Sequence, residues 1–313
     1  MSVLTAFLIA FISVSCQPTR DVQAVPSKTQ IDKNRSTAYG PPVRVGTLQD
    51  PAVDESSGIV ASRTQPGLYW THNDSGDGPF LYSFDQSGKS RGVWRVAGAT
   101  NVDWEDISSG PGPQAGKPYL YIGDIGDNDS VRKEISVYRV AEPTFGSTSV
   151  ASTKKTALVT EPAEVIRLRY PDGSHDAETL LVHPTTGNLY IVIKVVLANP
   201  TIYEATAPFD TGKVTTLKRV GDLPIPSLFG GVLTGGDISP DGTRVAFCDY
   251  FQGYELVLPD ASRSFDEIWK QKMLTIDLGK RKQGEGIAYR LDGRALITTS
   301  EGSLSPLIEV VRK

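Results

Sequence analysis

From residue 43 onward the chain repeats itself, and that repetition limits its possible folds more than any other feature. One unit recurs five times: a start rich in acid or Gly, a strand of small residues, a turn, an apolar strand ending in polar residues, and a third strand. The first strands read "ESSGIVAS", "DWEDISSG", "DAETLLVH", "TGGDISPD" and "GEGIAYR". The second strands read "GLYWTHND", "YLYIGDIGDN", "NLYIVIK", "RVAFCDY" and "ALITTSEG", and the third "FLYSFD", "ISVYRV", "TIYEAT", "YELVLP" and "PLIEVV". Turns of Gly, Pro, Asp and Asn separate them. No segment keeps a 3.6-residue period over three turns; "FDEIWKQKML" (265–274) is the best helical candidate, and it is short.

Fourth strands follow four of the units, in "GVWRVAG", "EVIRLRY", "LKRVGDL" and "MLTIDLG". The fifth unit ends at Lys313 without one, while "VRVGTLQDP" (43–51) looks like "KRVGDLPIP" (218–226). The expected fold is therefore all-β: a five-bladed β-propeller whose last blade is closed by an N-terminal strand, which removes the open sheet edge. Six blades is the alternative, if the gap between Ile107 and Leu180 hides one; residues 142–164 are read there mainly as a loop insertion.

The first sixteen residues stand apart. Val3 to Val14 is an apolar run too short to span a bilayer comfortably but suited to a signal-peptide core, and small residues lead from it to Cys16. The pattern resembles a bacterial lipoprotein signal, with Cys16 the lipidated residue, so the expected location is exported, in the cell envelope, lipid-anchored or secreted. Residues 17–41 are polar with Pro and no apolar period, as in a flexible tether, and 42–313 form one domain. A net charge of −4 argues against nucleic acid as a partner. Cys16 and Cys248 are the only cysteines, too few for a disulfide framework. A monomer is expected, meeting the membrane through the lipid anchor only.

In a propeller the first strand of each blade lines the central channel, and the loops before it and after the second strand open on one face. Aligning the first strands on Ile59, Ile107, Leu180, Ile238 and Ile287 places Ser57, Glu105, Glu178, Gly236 and Glu285 two positions earlier. Glu55, Asp103, Asp176, Thr234 and Gln283 stand four positions earlier, and Asp106 and Asp237 one earlier. His72, Asn73, Asp74, Asp124 and Lys194 mark exits of second strands. Crowded carboxylates raise one another's pKa, so either some protonate or a hard cation sits among them. Ca²⁺, with its 6–8 oxygen ligands, is the expected cofactor. The candidate metal ligands are Glu55, Asp103, Glu105, Glu178, Asp237 and Glu285. Asp124 is the candidate proton acceptor, with His72 and Lys194 as further catalytic candidates, and Trp104 and Asn73 as candidate walls of a pocket for a small molecule or glycan.

The motifs "NVDWEDIS", "YLYIGDIGDND", "DAETLLVHP", "GGDISPDGTRVA" and "GEGIAY" together resemble a family of poorly characterised exported bacterial β-propeller proteins. More distantly, the acid-Gly strand starts look like the calcium-dependent β-propeller phytases and the phytase-like esterases. That resemblance implies a calcium-lined face that binds a phosphate ester and activates water, with Glu105, Glu178 and Glu285 as metal ligands. Three functions follow as expectations: a calcium-dependent phosphoester or ester hydrolase; a non-catalytic propeller lipoprotein that binds a ligand or protein; and, third, a glycoside hydrolase built on two mouth carboxylates.

Overall fold

The computed structural model describes residues 34–144, 151–226 and 232–313. The expected signal segment and Cys16 lie outside the described residues. The strands form five antiparallel-based sheets arranged as a five-bladed β-propeller. Their innermost strands are Ser56–Ala61, Trp104–Pro111, Ala177–Val182, Gly235–Ile238 and Gly284–Tyr289, in blades 1 to 5. Blade 5 takes its outermost strand from the start of the domain: Val43–Thr47 pairs antiparallel with Pro306–Val311. Ring closure is thus the one read from the likeness of 43–51 to 218–226.

The apolar second strands are buried on both faces, so they read as near-continuous hydrophobic runs. Successive side chains point to opposite faces of a strand. Tyr119 and Tyr121 accordingly pack toward blade 3, and Leu120 and Ile122 toward blade 1. Leu189, Ile191 and Ile193 face blade 2, whereas Tyr190 and Val192 face blade 4. One hydrophobic cluster fills each of the five gaps between neighbouring blades. Cys248 belongs to the cluster between blades 4 and 5.

The outer edges are covered by one recurring device. The segment just before each blade's outermost strand crosses to the edge of the blade before it. Leu158–Pro162 pairs parallel with Ser90–Ala97 of blade 1, and Val214–Thr216 with Glu164–Arg169 of blade 2. The 3-10 turn Phe265–Lys270 packs on the edge of blade 3. Ser36 N–H donates to Thr275 O at the edge of blade 4 (2.7 Å), and Thr47 N–H of blade 5 donates to Ser87 O (3.2 Å).

Three expectations change here. The 142–164 stretch is more than a loop, because Leu158–Pro162 is an edge strand; it adds to blade 1 and makes no sixth blade. The helical candidate is the 3-10 turn, followed by strand Leu274–Ile276. The expected tether ends early, since Tyr39 is buried and its hydroxyl donates to Glu255 Oε1 (2.6 Å).

Candidate functional site

The innermost strands converge on the axis with only one sheet neighbour each. Side chains of adjoining blades therefore satisfy much of their inner edge. Ser57 Oγ donates to Glu105 O (2.6 Å), and Val182 N–H donates to Ser108 Oγ (3.2 Å). Asp106 is fully buried and gathers three amides from three blades: Ile107 N–H (2.8 Å), Leu180 N–H (3.0 Å) and Gly236 N–H (3.3 Å). Its neighbour Gly58 leaves room for that carboxylate; a Cβ there would lie 2.8 Å from Asp106 Oδ1.

A β-bulge sets the mouth acids apart from this framework. Pairing with the second strand slips by one residue between Ser56 and Gly58, between Trp104 and Asp106, between Ala177 and Thr179, and between Gly284 and Ile287. The slips bracket Ser57, Glu105, Glu178 and Glu285. Bulges re-aim a side chain, and they concentrate at functional rims. Blade 4 has Gly236 at this position and keeps an unbroken register.

Asp74 from blade 1 and Asp103 and Glu105 from blade 2 bring one carboxylate oxygen each within 4.8 Å of one another. Gly126 is packed against the same pair: a Cβ there would lie 2.1 Å from Glu105 Oε1 and 2.5 Å from Asp103 Oδ2. Among the described residues no group hydrogen-bonds the Asp103 or Glu105 carboxylates. Burial, with Asp74 and Asp176 nearby, pushes Asp103 up to about 6. Burial and then Glu178, Asp74 and Asp103 push Glu105 further up. Ca²⁺–oxygen bonds of about 2.3–2.6 Å allow two ligands of one ion to stand up to about 5 Å apart, so the three acids fit a hard cation.

Glu178 stands beside this group, and Glu285 beside Glu178. Lys194 forms an ion pair with Glu178, and its Nζ lies 5.9 Å from the centre of the Tyr250 ring. Burial raises the Glu178 carboxyl, and Lys194 limits the rise. Glu285 accepts from Gln283 Nε2 (3.2 Å) and is pushed up to about 9 by burial, Glu178 and Glu301. Glu55 is exposed at the rim, its carboxyl raised by burial and by Asp54 and Asp74.

Five expected residues are placed differently. Asp237 accepts Tyr289 N–H (2.8 Å), so it joins blades 4 and 5 as Asp106 joins its neighbours and is not part of the mouth group. Asp124 is fully buried, ion-paired with Arg132 (2.8 Å), and accepts Val102 and Asp103 N–H (3.3 Å each); it fixes the loop that carries Asp103 and is no open proton acceptor. His72 is enclosed, its ring edge-on to Trp104 at 5.7 Å, and burial lowers its pKa. Trp104 is core between blades 1 and 2, its indole N–H donating to Thr100 O (2.9 Å), so it walls no pocket. Asn73 is buried and holds the 52–55 loop through Glu55 N–H (3.2 Å) and Ala52 O (2.7 Å).

In the loops that leave the second strands of blades 1 and 2, "NDSGDG" (73–78) and "GDIGDND" (123–129), the acids divide. Asp127 accepts Val131 and Arg132 N–H, which is turn chemistry, whereas Asp74 joins the carboxylate group. Asp74 stands at the exit of its second strand, but only the fold brings it to Asp103 and Glu105. No protein-family model and no curated protein matches the chain.

Proposed function

We propose that this is an exported cell-envelope propeller whose mouth binds Ca²⁺ through Asp74, Asp103 and Glu105 and hydrolyses a phosphoester or related ester there. Export and a lipid anchor at Cys16 are supported by the apolar run 3–14 and the small residues after it. The observation that carries the calcium reading is the convergence of three carboxylates, with no hydrogen bond to the Asp103 or Glu105 carboxylate among the described residues and only the Arg132 charge, held on Asp124 and Gly126 O, near Asp103. Bound calcium would supply a Lewis acid for substrate oxygens and favour ionisation of a water. Glu178 is raised by burial and held by Lys194, which makes it the mouth carboxylate suited to exchanging a proton. Lys194 adds a positive charge for an oxyanion.

The test is thermal unfolding of the full-length chain in EDTA and after adding back millimolar calcium, followed by turnover of p-nitrophenyl phosphate and p-nitrophenyl acetate. Calcium raises Tm in the native chain. Glu105→Gln raises Tm in EDTA, because it removes the cost of holding a buried carboxyl protonated, and abolishes the calcium shift. No calcium shift would overturn the reading.

Non-catalytic binding is the second reading, favoured by one observation: Asp124 and His72, the expected proton carriers, are both locked into the framework. A calcium shift without turnover supports it. A glycoside hydrolase would instead need two mouth carboxylates with no shared ion.

A further inference from the structure

A cavity of about 350 Å³ lies on the mouth-side face of blade 3, outward from Lys194. It sits within the size range of small-molecule sites, about 300–1,000 Å³. Residues 170–176 before the innermost strand, residues 194–200 after the second, and the end of the outermost strand surround it. It uses none of the three carboxylates assigned to calcium.

Its polar side is preorganised. Tyr203 OH donates to Asp172 Oδ2 (2.8 Å), and His175 Nε2 lies 3.0 Å from Asp172 Oδ1. Partial burial opposes the charge on Asp172, but hydrogen bonds from His175 and Tyr203 hold its carboxyl below the usual range. Opposite, Asp222 accepts Thr201 Oγ1 (2.7 Å) and Arg219 Nη2 (2.7 Å). Beneath the site, Tyr170 is edge-on to both His175 and Tyr203, each 4.9 Å away, and keeps those rings in place.

Much hydrogen-bonding capacity is left over. A carboxylate offers about four lone-pair sites and a guanidinium five N–H donors. Asp172 and Asp222 each use part of theirs, Arg219 uses only Nη2, and the Asn199 amide has no partner among the described residues. Ile193, Val195 and Ala198 supply the apolar side. Two carboxylates against one guanidinium disfavour an anion, and the Arg219 guanidinium held on Asp222 disfavours a metal ion. The ligand that suits spare donors, spare acceptors and an apolar wall without a net charge is a polyhydroxylated one.

We infer that this cavity is a binding site for a neutral saccharide unit, its hydroxyls on Asp172, Asn199, Arg219 and Asp222 and its C–H face against Val195 and Ala198. The inference does not rest on calcium binding or on hydrolysis at the mouth.

The test is isothermal titration of the full-length chain with cellobiose, maltose and chitobiose. At least one binds with a Kd of about 1 mM or tighter. Asn199→Ala, at a half-buried side chain, and Arg219→Ala, at an exposed one, weaken it about tenfold, equivalent to about 1.4 kcal/mol. Glu105→Gln leaves it unchanged. Three outcomes overturn the inference: no binding of any of the three disaccharides, binding lost in Glu105→Gln but kept in Asn199→Ala, or displacement of the sugar by inorganic phosphate at a lower concentration than the sugar itself requires.

Discussion

At the scale of single residues, the stretch "NVDWEDISSG" holds three acids with two separate fates. Asp103 and Glu105 enter the mouth, while Asp106 turns to the axis and collects backbone amides. Asp106→Ala leaves the Leu180, Gly236 and Ile107 amides without that acceptor. The expected cost is about 3 kcal/mol or more, since each buried unsatisfied donor costs about 1–3 kcal/mol; urea denaturation measures it. Asp237 offers a pH test. Burial raises it to about 7, against the Tyr289 amide and Arg63, which favour its charge. A raised folded pKa means that ionisation opposes folding. The native chain loses stability as pH rises from about 4 to about 7, by up to about 1.4 kcal/mol per pH unit from this group. Asp237→Asn removes that slope, so the variant gains on the native chain across the window and holds its gain above it. A parallel pair of stability–pH curves would refute this. The alignment already sets Asp237 with Asp106, one position before the anchor, and Glu105 two before it, so the period separates them onto opposite strand faces; only its charge groups Asp237 with the mouth acids. Neither the position of the bulge nor the enclosure of Trp104 and His72 has a mark in the sequence.

At the scale of elements, the edge covers decide which glycines matter. Gly46 and Gly88 lie where the turn before blade 1's outermost strand meets the closing strand of blade 5. A Cβ on Gly46 would stand 2.2 Å from Ser87 O, and one on Gly88 would stand 2.0 Å from Thr47 O. Gly88 also has φ +81°, a conformation that costs an L-residue roughly 1–2 kcal/mol. Gly88→Ala should therefore lower stability by about 2 kcal/mol or more, the sum of that strain and the clash. The loops after the second strands show the opposite case. Leu197 and Leu304 are exposed and both have φ 56°. Leu304→Gly relieves about 1–2 kcal/mol of left-handed strain but adds about 0.4–1 kcal/mol of unfolded-chain entropy, so stability in urea should rise by about 0.5 kcal/mol; a clear loss of stability counts against strain in that loop. The strands themselves were legible because each second strand is buried on both faces and must be apolar throughout. The edge strands Leu158–Pro162 and Val214–Thr216 were not, because a short strand paired on one side carries a mixed sequence.

At the scale of the whole molecule, the closure of the ring is carried by the N-terminal segment. Val43–Thr47 completes blade 5, Tyr39 reaches the buried Glu255, and Arg35 bridges to Thr275 on the edge of blade 4. Glu255 also accepts Tyr289 OH (2.8 Å) and pairs with Arg312 (3.0 Å), so the first and last segments of the domain meet on one carboxylate. Closure was legible because a fourth strand was missing at one end and present at the other. The docking of residues 34–41 was not, since their polar composition is that of a tether. A chain beginning at residue 48 loses the closing strand, leaves the Pro306–Val311 edge unpaired and removes one hydrogen-bonding partner of Glu255. Such an edge is a template for pairing with another chain. The truncated protein should therefore aggregate or associate, where the full-length chain runs as one species on size-exclusion chromatography. A synthetic peptide of residues 34–47 should restore a single compact species, because the missing strand then comes from outside. Tyr39→Phe in the full-length chain separates the two parts of the clasp: it keeps the strand and loses only the hydroxyl to Glu255, so it should lower stability by about 1–2 kcal/mol without causing association. If the truncated chain runs as a compact monomer with an unchanged Tm, the propeller does not depend on this closure.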